Sequence, residues 1–288
     1  MESDAHSAAV RHYYERNTRR FLRLGRDAGT RHLHQPLFAP DAPSREAAMN
    51  YSNQLVLRQV QELAAQRQAP LHVLDLGCGT GSGLWYLAAR GPADTRYTGV
   101  TISPLQAQLA EAARPAQPGG LRCQVLTGDF LQLPPLPPVH LAYAIEAFLH
   151  AADPEAFFRE ASRVLAPGGR LLIIDDLLMR APAPAEAHWA AEFRRGWLGA
   201  SLIPPAEAEA LAARQGLRLI HSQDLTPWMR TGRPRDRAIG WMRALAGPLL
   251  WRSVYGRALL GGYAKQQCIR LGIVGYRLML WEKAAPAG

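Results

Sequence analysis

Between residues 70 and 180 short apolar runs alternate with amphipathic stretches. Leu71-His72-Val73-Leu74-Asp75-Leu76 reads as a buried strand ending in a glycine cluster. Arg96 to Ile102, Leu121 to Leu126, Val139 to Ile145 and Arg170 to Asp175 read as four more. Strands this apolar, separated by helices, predict a parallel sheet covered on both faces. Ser103-Pro104 and Asp153-Pro154 each start a helix, a capping side chain followed by proline at the first helical position. Phe157, Phe158, Ala161, Val164 and Leu165 supply the core-facing side of the second, which stops at Ala166-Pro167-Gly168-Gly169. Gly216 to Gln223 and Val274 to Trp281 read as sixth and seventh strands, while 1–68, 181–212 and 225–272 read as mostly helical. The expected organisation is an N-terminal helical cap over 1–68 and a sheet domain over 69–288, with helical insertions at about 181–212 and 225–272.

Composition narrows the class. With 48% apolar and 20% charged residues, the 288-residue chain is an ordinary globular sequence and not a disordered one. No apolar run is long enough for a membrane-spanning helix, and Met1-Glu2-Ser3-Asp4 lacks the features of a secretory signal. Cys78, Cys123 and Cys268 fit neither a disulfide scaffold nor a paired zinc site, so a reduced cytoplasm is the expected location. The net charge is +9 and unevenly spread: 225–272 holds nine basic residues, from Arg230 to Arg270, against Asp236 alone. An anionic substrate, a nucleic acid or a membrane face would suit that charge; the plainer and preferred reading is a solvated helical face.

The chemistry is carried by Asp75-Leu76-Gly77-Cys78-Gly79-Thr80-Gly81-Ser82-Gly83. Glycines directly after a buried strand let the backbone turn tightly and approach a ligand closely. A phosphate-cradling NTPase loop needs a lysine that is absent here. A dinucleotide fingerprint fails in the register of its third glycine and in the missing acidic residue after the second strand, which disfavours a nicotinamide-dependent dehydrogenase. The segment Asp75 to Gly81 instead resembles motif I of the class I S-adenosylmethionine-dependent methyltransferases. Gly128-Asp129-Phe130 and Arg163 to Arg170 resemble that family's third-strand end and its turn into the fifth strand.

Tyr97-Thr98-Gly99-Val100-Thr101-Ile102-Ser103-Pro104-Leu105-Gln106 is similar to the second strand of a branch holding cyclopropane synthases, sterol and tocopherol methyltransferases and natural-product relatives. The resemblance implies a Rossmann-like seven-stranded α/β sheet with helices on both faces and helical lid segments. It implies S-adenosylmethionine as cofactor, held by Asp75, Gly77, Gly79, Gly81, Thr101, Ser103, Gln106, Asp129 and Phe130. It also implies catalytic roles for Glu146 and His150, which match the branch at the end of the fourth strand. Either can take a proton; His150 suits the task because its unperturbed pKa of about 6.5 lies near neutrality. Tyr13-Tyr14-Glu15 resembles a tyrosine lid of small-molecule methyltransferases, making Tyr14 and Tyr51 cofactor-side candidates. His32-Leu33-His34 lacks a nearby third ligand, so no metal is expected, and His34 is placed at the roof of the site or in packing.

The expected reaction is methyl transfer to an apolar small-molecule acceptor of secondary metabolism, at carbon or oxygen. Trp189, Trp197, Trp228, Trp241, Trp251 and Phe193 supply the apolar surroundings, and the arginines of 225–272 leave room for a prenyl diphosphate or another anionic metabolite. An RNA methyltransferase finds support in the charge, but no RNA-binding module is seen and no nucleic-acid partner is expected. A non-catalytic small-molecule-binding protein on the same fold is a further alternative. A homo-oligomer is left open.

Overall fold

The computed structural model describes residues 2–24, 32–67, 69–116, 120 and 122–285. Seven strands form one sheet: β1 (His72–Leu76), β2 (Arg96–Thr101), β3 (Cys123–Thr127), β4 (Val139–Ile145), β5 (Leu165–Leu178), β6 (Leu217–Asp224) and β7 (Val274–Lys283). Their order is β3-β2-β1-β4-β5-β7-β6. Leu121, where the sequence pattern starts the third strand, lies outside the described residues. The helices are α1 (Glu2–Leu24), α2 (Arg45–Gln66), α3 (Ser82–Arg90), α4 (Pro104–Ala112), α5 (Pro154–Val164), α6 (Ala187–Trp197), α7 (Pro205–Arg214), α8 (Pro234–Leu250) and α9 (Val254–Arg270).

The first five strands pair in parallel, as their apolar runs predict. The seventh does not: β7 runs antiparallel to both β5 and β6. A strand buried on both faces reads alike in either direction, so the apolar pattern carried no sign of this reversal. Alternation along the central strands sorts side chains onto two faces. Leu171 and Ile173 join Phe157, Phe158 and Trp281 on one side. Leu172 and Ile174 join Val56, Val60 and Leu141 on the other. Burying a side chain of this size contributes about 1.5–3 kcal/mol. Ala166 to Gly169 loop out of the β4–β5 ladder, where the register shifts between Val139–Leu165 and Leu141–Arg170.

The helices predicted from their caps begin where expected. Ser103 accepts from the Gln106 amide at 3.3 Å, and Asp153 accepts from the Ala156 amide at 2.9 Å. Residues 1–68 divide into two parts with different jobs. In α2, Ala48, Leu55, Val56, Val60 and Leu63 lie in the sheet-covering core, whereas α1 packs on α4 and α9, outside that core. A third apolar cluster, with Leu149, Phe193, Leu202 and Cys268, joins α6 and α9 to the sheet. These two helices cross where Gly196 meets Gly261, so closely that a Cβ on either would overlap the other's backbone.

Because β1 pairs with β2 on one side and β4 on the other, chain direction across the sheet reverses at β1. A crevice opens beyond the carboxyl ends of the strands at such a point.

Candidate active site

The loop after β1 turns through Gly77 at φ 105° and Gly79 at φ 54°, conformations that L side chains rarely adopt. The amides of Gly77 and Cys78 both donate to the Val100 carbonyl on β2, at 3.0 and 2.9 Å. The loop is thereby held with its bare backbone facing a cavity of about 120 Å³. Asp75, Gly77, Gly79, Thr101, Gln106, Asp129, Phe130, Glu146 and His150 line it together, with Tyr14 as part of the roof.

Three candidates stand elsewhere. Gly81 caps α3 and packs against Ala110 and Trp85. Ser103 turns its hydroxyl to the α4 backbone, because an N-cap satisfies an otherwise orphaned amide. Tyr51 faces the core from α2, its ring edge-on to Trp228 at 5.3 Å.

Most polar groups of the small cavity are already engaged. Thr101 donates to Gln106 Oε1 at 2.7 Å, and the Gln106 amide donates to Thr18 on α1 at 3.1 Å. Ser7, also on α1, donates to Asp129 Oδ2 at 2.5 Å. Two acceptors are less satisfied. Asn53 lines the cavity with a buried Oδ1 that has no hydrogen-bond partner among the described residues. Asp75 is buried, and burial pushes its carboxyl up to about 7 despite the Tyr143 hydroxyl donating at 2.7 Å. Both call for a cationic or hydrogen-donating ligand.

Glu146 stands at the end of β4 with φ 50°, one of two non-glycine residues in the left-handed region among those described. Such a backbone costs on the order of 1–2 kcal/mol and is held only by its surroundings. The Gln35 amide and the Tyr276 hydroxyl both donate to Glu146 Oε1, at 2.7 and 2.9 Å. No hydrogen bond to Oε2 is made among the described residues.

His150 bonds through Nδ1 to the Leu198 carbonyl at 3.4 Å, so Nδ1 carries the proton and Nε2 accepts from the Tyr14 hydroxyl at 2.7 Å. Burial pulls its pKa down to about 4. Burial and the Tyr14 hydrogen bond both weaken the ring as a proton acceptor near neutrality. His32 and His34 are likewise pulled down by burial, to about 3 and about 4, and both line the cavity roof. Among the described residues no three His, Cys, Asp or Glu side chains gather as a metal-holding group.

A second cavity of about 280 Å³ adjoins the first. Tyr14, His32, Leu33, His34, Glu146 and His150 line both. Its walls mix apolar groups, such as Leu149, Trp197, Ile239 and Leu259, with Arg45, Arg230, Arg233 and Arg235. None of these four arginines makes an ion pair among the described residues. Burial lowers the pKa of Arg233, with repulsion from Arg45, Arg230 and Arg235 acting in the same direction. Deeper in, Lys265 is buried against Asp176 at 2.7 Å, its ammonium 5.3 Å from the centre of the Tyr276 ring. Burial works against that charge, but the carboxylates of Asp176 and Glu146 outweigh it and leave the pKa above its ordinary value.

Gln35, Asn53, Lys265 and Tyr276 were not singled out from the sequence. Only Tyr276 left a signal there: a phenol inside an apolar strand needs a partner for its hydroxyl.

Residues 74–173 match the protein family described as "Methyltransferase domain". Residues 74–173 thus belong to a methyltransferase domain. Among curated proteins, it is 30% identical over 268 residues to sterol 24-C-methyltransferase of Aspergillus fumigatus, covering 85% of this chain and 63% of that protein. It is 30% identical over 161 residues to 27-O-demethylrifamycin SV methyltransferase of Amycolatopsis mediterranei, covering 55% and 58%. The chain thus spans less than two thirds of the length of either. The methyltransferase fold is shared with geranyl diphosphate C-methyltransferase of Streptomyces coelicolor, at TM-score 0.67 and 19% identity over 97% of this chain and 98% of that one. That structure holds Mg²⁺, geranyl-S-thiolodiphosphate and S-adenosylhomocysteine. The methyltransferase domain here fits S-adenosylmethionine on its own terms: bare backbone at Gly77 and Gly79, a buried Asp75 lacking a countercharge, and the orphaned Oδ1 of Asn53.

Proposed function

We propose that the chain transfers the methyl group of S-adenosylmethionine to an apolar small-molecule acceptor bearing an anionic group, at carbon or oxygen, in secondary metabolism. The reading is carried by the wall that the two cavities share, where Tyr14, His34, Glu146 and His150 face both. A cofactor in the smaller space and an acceptor in the larger would meet there. The natural-product relative supports the metabolic setting.

When bound, S-adenosylmethionine supplies an electrophilic methyl group. Asp75, Gly77, Gly79, Thr101, Gln106, Asp129 and Phe130 would hold it, with Asn53 as a further contact. Glu146 receives the acceptor's proton, directly from an oxygen nucleophile or from the cation left by an attacked alkene. The Gln35 amide and Tyr276 hydroxyl fix that carboxylate in place. Neutral His150 holds the Tyr14 hydroxyl, and α1 roofs the site against water through Ser7, Val10 and Tyr14. Much of the acceleration is then positioning of the two partners against each other at the shared wall. The guanidiniums of Arg45, Arg230, Arg233 and Arg235 receive the anionic end of the acceptor.

The test is incubation with methyl-labelled S-adenosylmethionine and a panel of prenyl diphosphates, apolar carboxylates and neutral prenols. Label in the anionic compounds, located by NMR on carbon or oxygen, is the expected result. Preference for the neutral compounds, or no label in any, would contradict the proposal.

A further inference from the structure

Away from both cavities, four of the six large apolar side chains most exposed among the described residues sit on α8. They are Trp241, Met242, Leu245 and Leu249, at 72%, 42%, 84% and 65% exposure. Trp241 and Leu245, four apart, share one face of the helix before its bend at Ala246, and Leu249 stands exposed just beyond the bend. Exposed Arg237 precedes these three and exposed Arg252 follows them. The acidic residue of this part of the chain, Asp236, is buried instead and accepts from the Arg233 amide at 2.7 Å. The exposed side of α8 is therefore apolar at its centre, with Arg237 near its start and Arg252 just past its end, and the helix's own carboxylate is turned inward; Arg243 is paired with Glu192 of α6 at 2.6 Å. The helix is bent at Ala246, two residues before Pro248.

We propose that α8 is a docking helix that lies on an anionic lipid bilayer, with Trp241, Leu245 and Leu249 inserted at the headgroup boundary. An apolar patch rimmed by basic residues suits that surface, and tryptophan is favoured at the membrane–water interface. Charge decides against a second copy: a two-fold contact through this face brings the arginine ends of two helices together. It decides against nucleic acid as well, since that partner leaves the tryptophan and leucines uncovered. The helix lies on the bilayer and does not cross it, since no described helix is long and apolar enough to span one. Its other face, through Arg233, Asp236 and Ile239, lines the larger cavity. Docking thus sets the cavity beside the bilayer, a route for an apolar acceptor; that consequence rests on the proposed function, the docking itself does not.

The experiment is co-sedimentation of the whole protein with vesicles of phosphatidylcholine alone or mixed with phosphatidylglycerol. The wild type partitions at least about tenfold better to the anionic vesicles, less so at high salt. Trp241→Ser/Leu245→Ser/Leu249→Ser lowers that partition about tenfold or more at unchanged thermal midpoint, and Arg237→Glu/Arg252→Glu removes the salt dependence. Binding to anionic vesicles no stronger than the triple variant's overturns the proposal. So does light scattering that shows a dimer which the triple variant dissolves, for then a second copy covers the face.

Discussion

The hydroxyl of Tyr276 donates to Glu146 Oε1 at 2.9 Å, joining the reversed strand β7 to the end of β4 across 130 positions of sequence. Among the described residues Tyr276 is the one side chain that donates to this oxygen, the other donor being the backbone of Gln35. A hydrogen bond to a charged group contributes about 1.5–3 kcal/mol. Tyr276→Phe is therefore expected to lower kcat roughly ten- to a hundredfold. S-adenosylhomocysteine affinity should stay near that of the wild type, because the phenol does not line the smaller cavity. Glu146→Gln, which removes the proposed proton acceptor itself, should cost about 10²–10⁴ in kcat. Steady-state kinetics and calorimetry on both variants check the split.

In the free protein burial pushes the Asp75 carboxyl up to about 7. A ligand bearing an ammonium group beside it favours the ionised form, so binding must release a proton wherever Asp75 starts out protonated. The dissociation constant of S-adenosylhomocysteine should accordingly rise as pH falls below about 7, by up to about tenfold per unit. Above that pH it should level off. Calorimetry at several pH values, in buffers of different ionisation enthalpy, reads both the affinity and the proton released. Asp75→Asn should bind weakly with no such slope.

How much of this was legible beforehand differs from residue to residue. The turn at Gly77 and Gly79 could be read directly, because few sequences other than glycine allow a backbone with those φ values after a buried strand. Ser103 and Tyr51 were assigned by resemblance, and local physics gave them other work: one caps α4, the other fills the core beneath Trp228. The depressed pKa of His150 could not be read at all. It arises from burial beneath α1 and the loop after α6, contacts made 136 and 48 positions away. The Lys265–Asp176 pair was hidden for the same reason, since neither residue's neighbours in sequence say what faces it.

Four guanidiniums at the larger cavity predict a charge-dependent KM. Arg233→Ala or Arg235→Ala should raise the KM of an anionic acceptor about tenfold, the loss of one charge-assisted contact. The kcat should change little, because neither residue adjoins the shared wall. Unchanged kinetics across both variants would count against an anionic acceptor.

Gly77 cannot take a side chain without moving its neighbour. A Cβ there would stand 2.5 Å from the Cβ of Ala147, at a φ of 105°. Gly77→Ala should lower stability by about 1–3 kcal/mol in urea titrations. It should weaken S-adenosylhomocysteine binding as well, since the loop and the Glu146 corner must part to make room.

The central claim is that a cofactor space and an acceptor space meet at Glu146. A thermal-shift titration with S-adenosylhomocysteine, run beside a methyl-transfer assay on wild type, Asp75→Asn and Glu146→Gln, tests it most directly. At about 100 times its dissociation constant the ligand should stabilise the wild type and Glu146→Gln by roughly 2.7 kcal/mol, and Asp75→Asn far less. Methyl transfer should run at full rate in the wild type alone and fall at least about a hundredfold in Glu146→Gln. A Glu146→Gln enzyme that still transfers methyl at the wild-type rate, or a wild type that S-adenosylhomocysteine does not stabilise, would contradict the account.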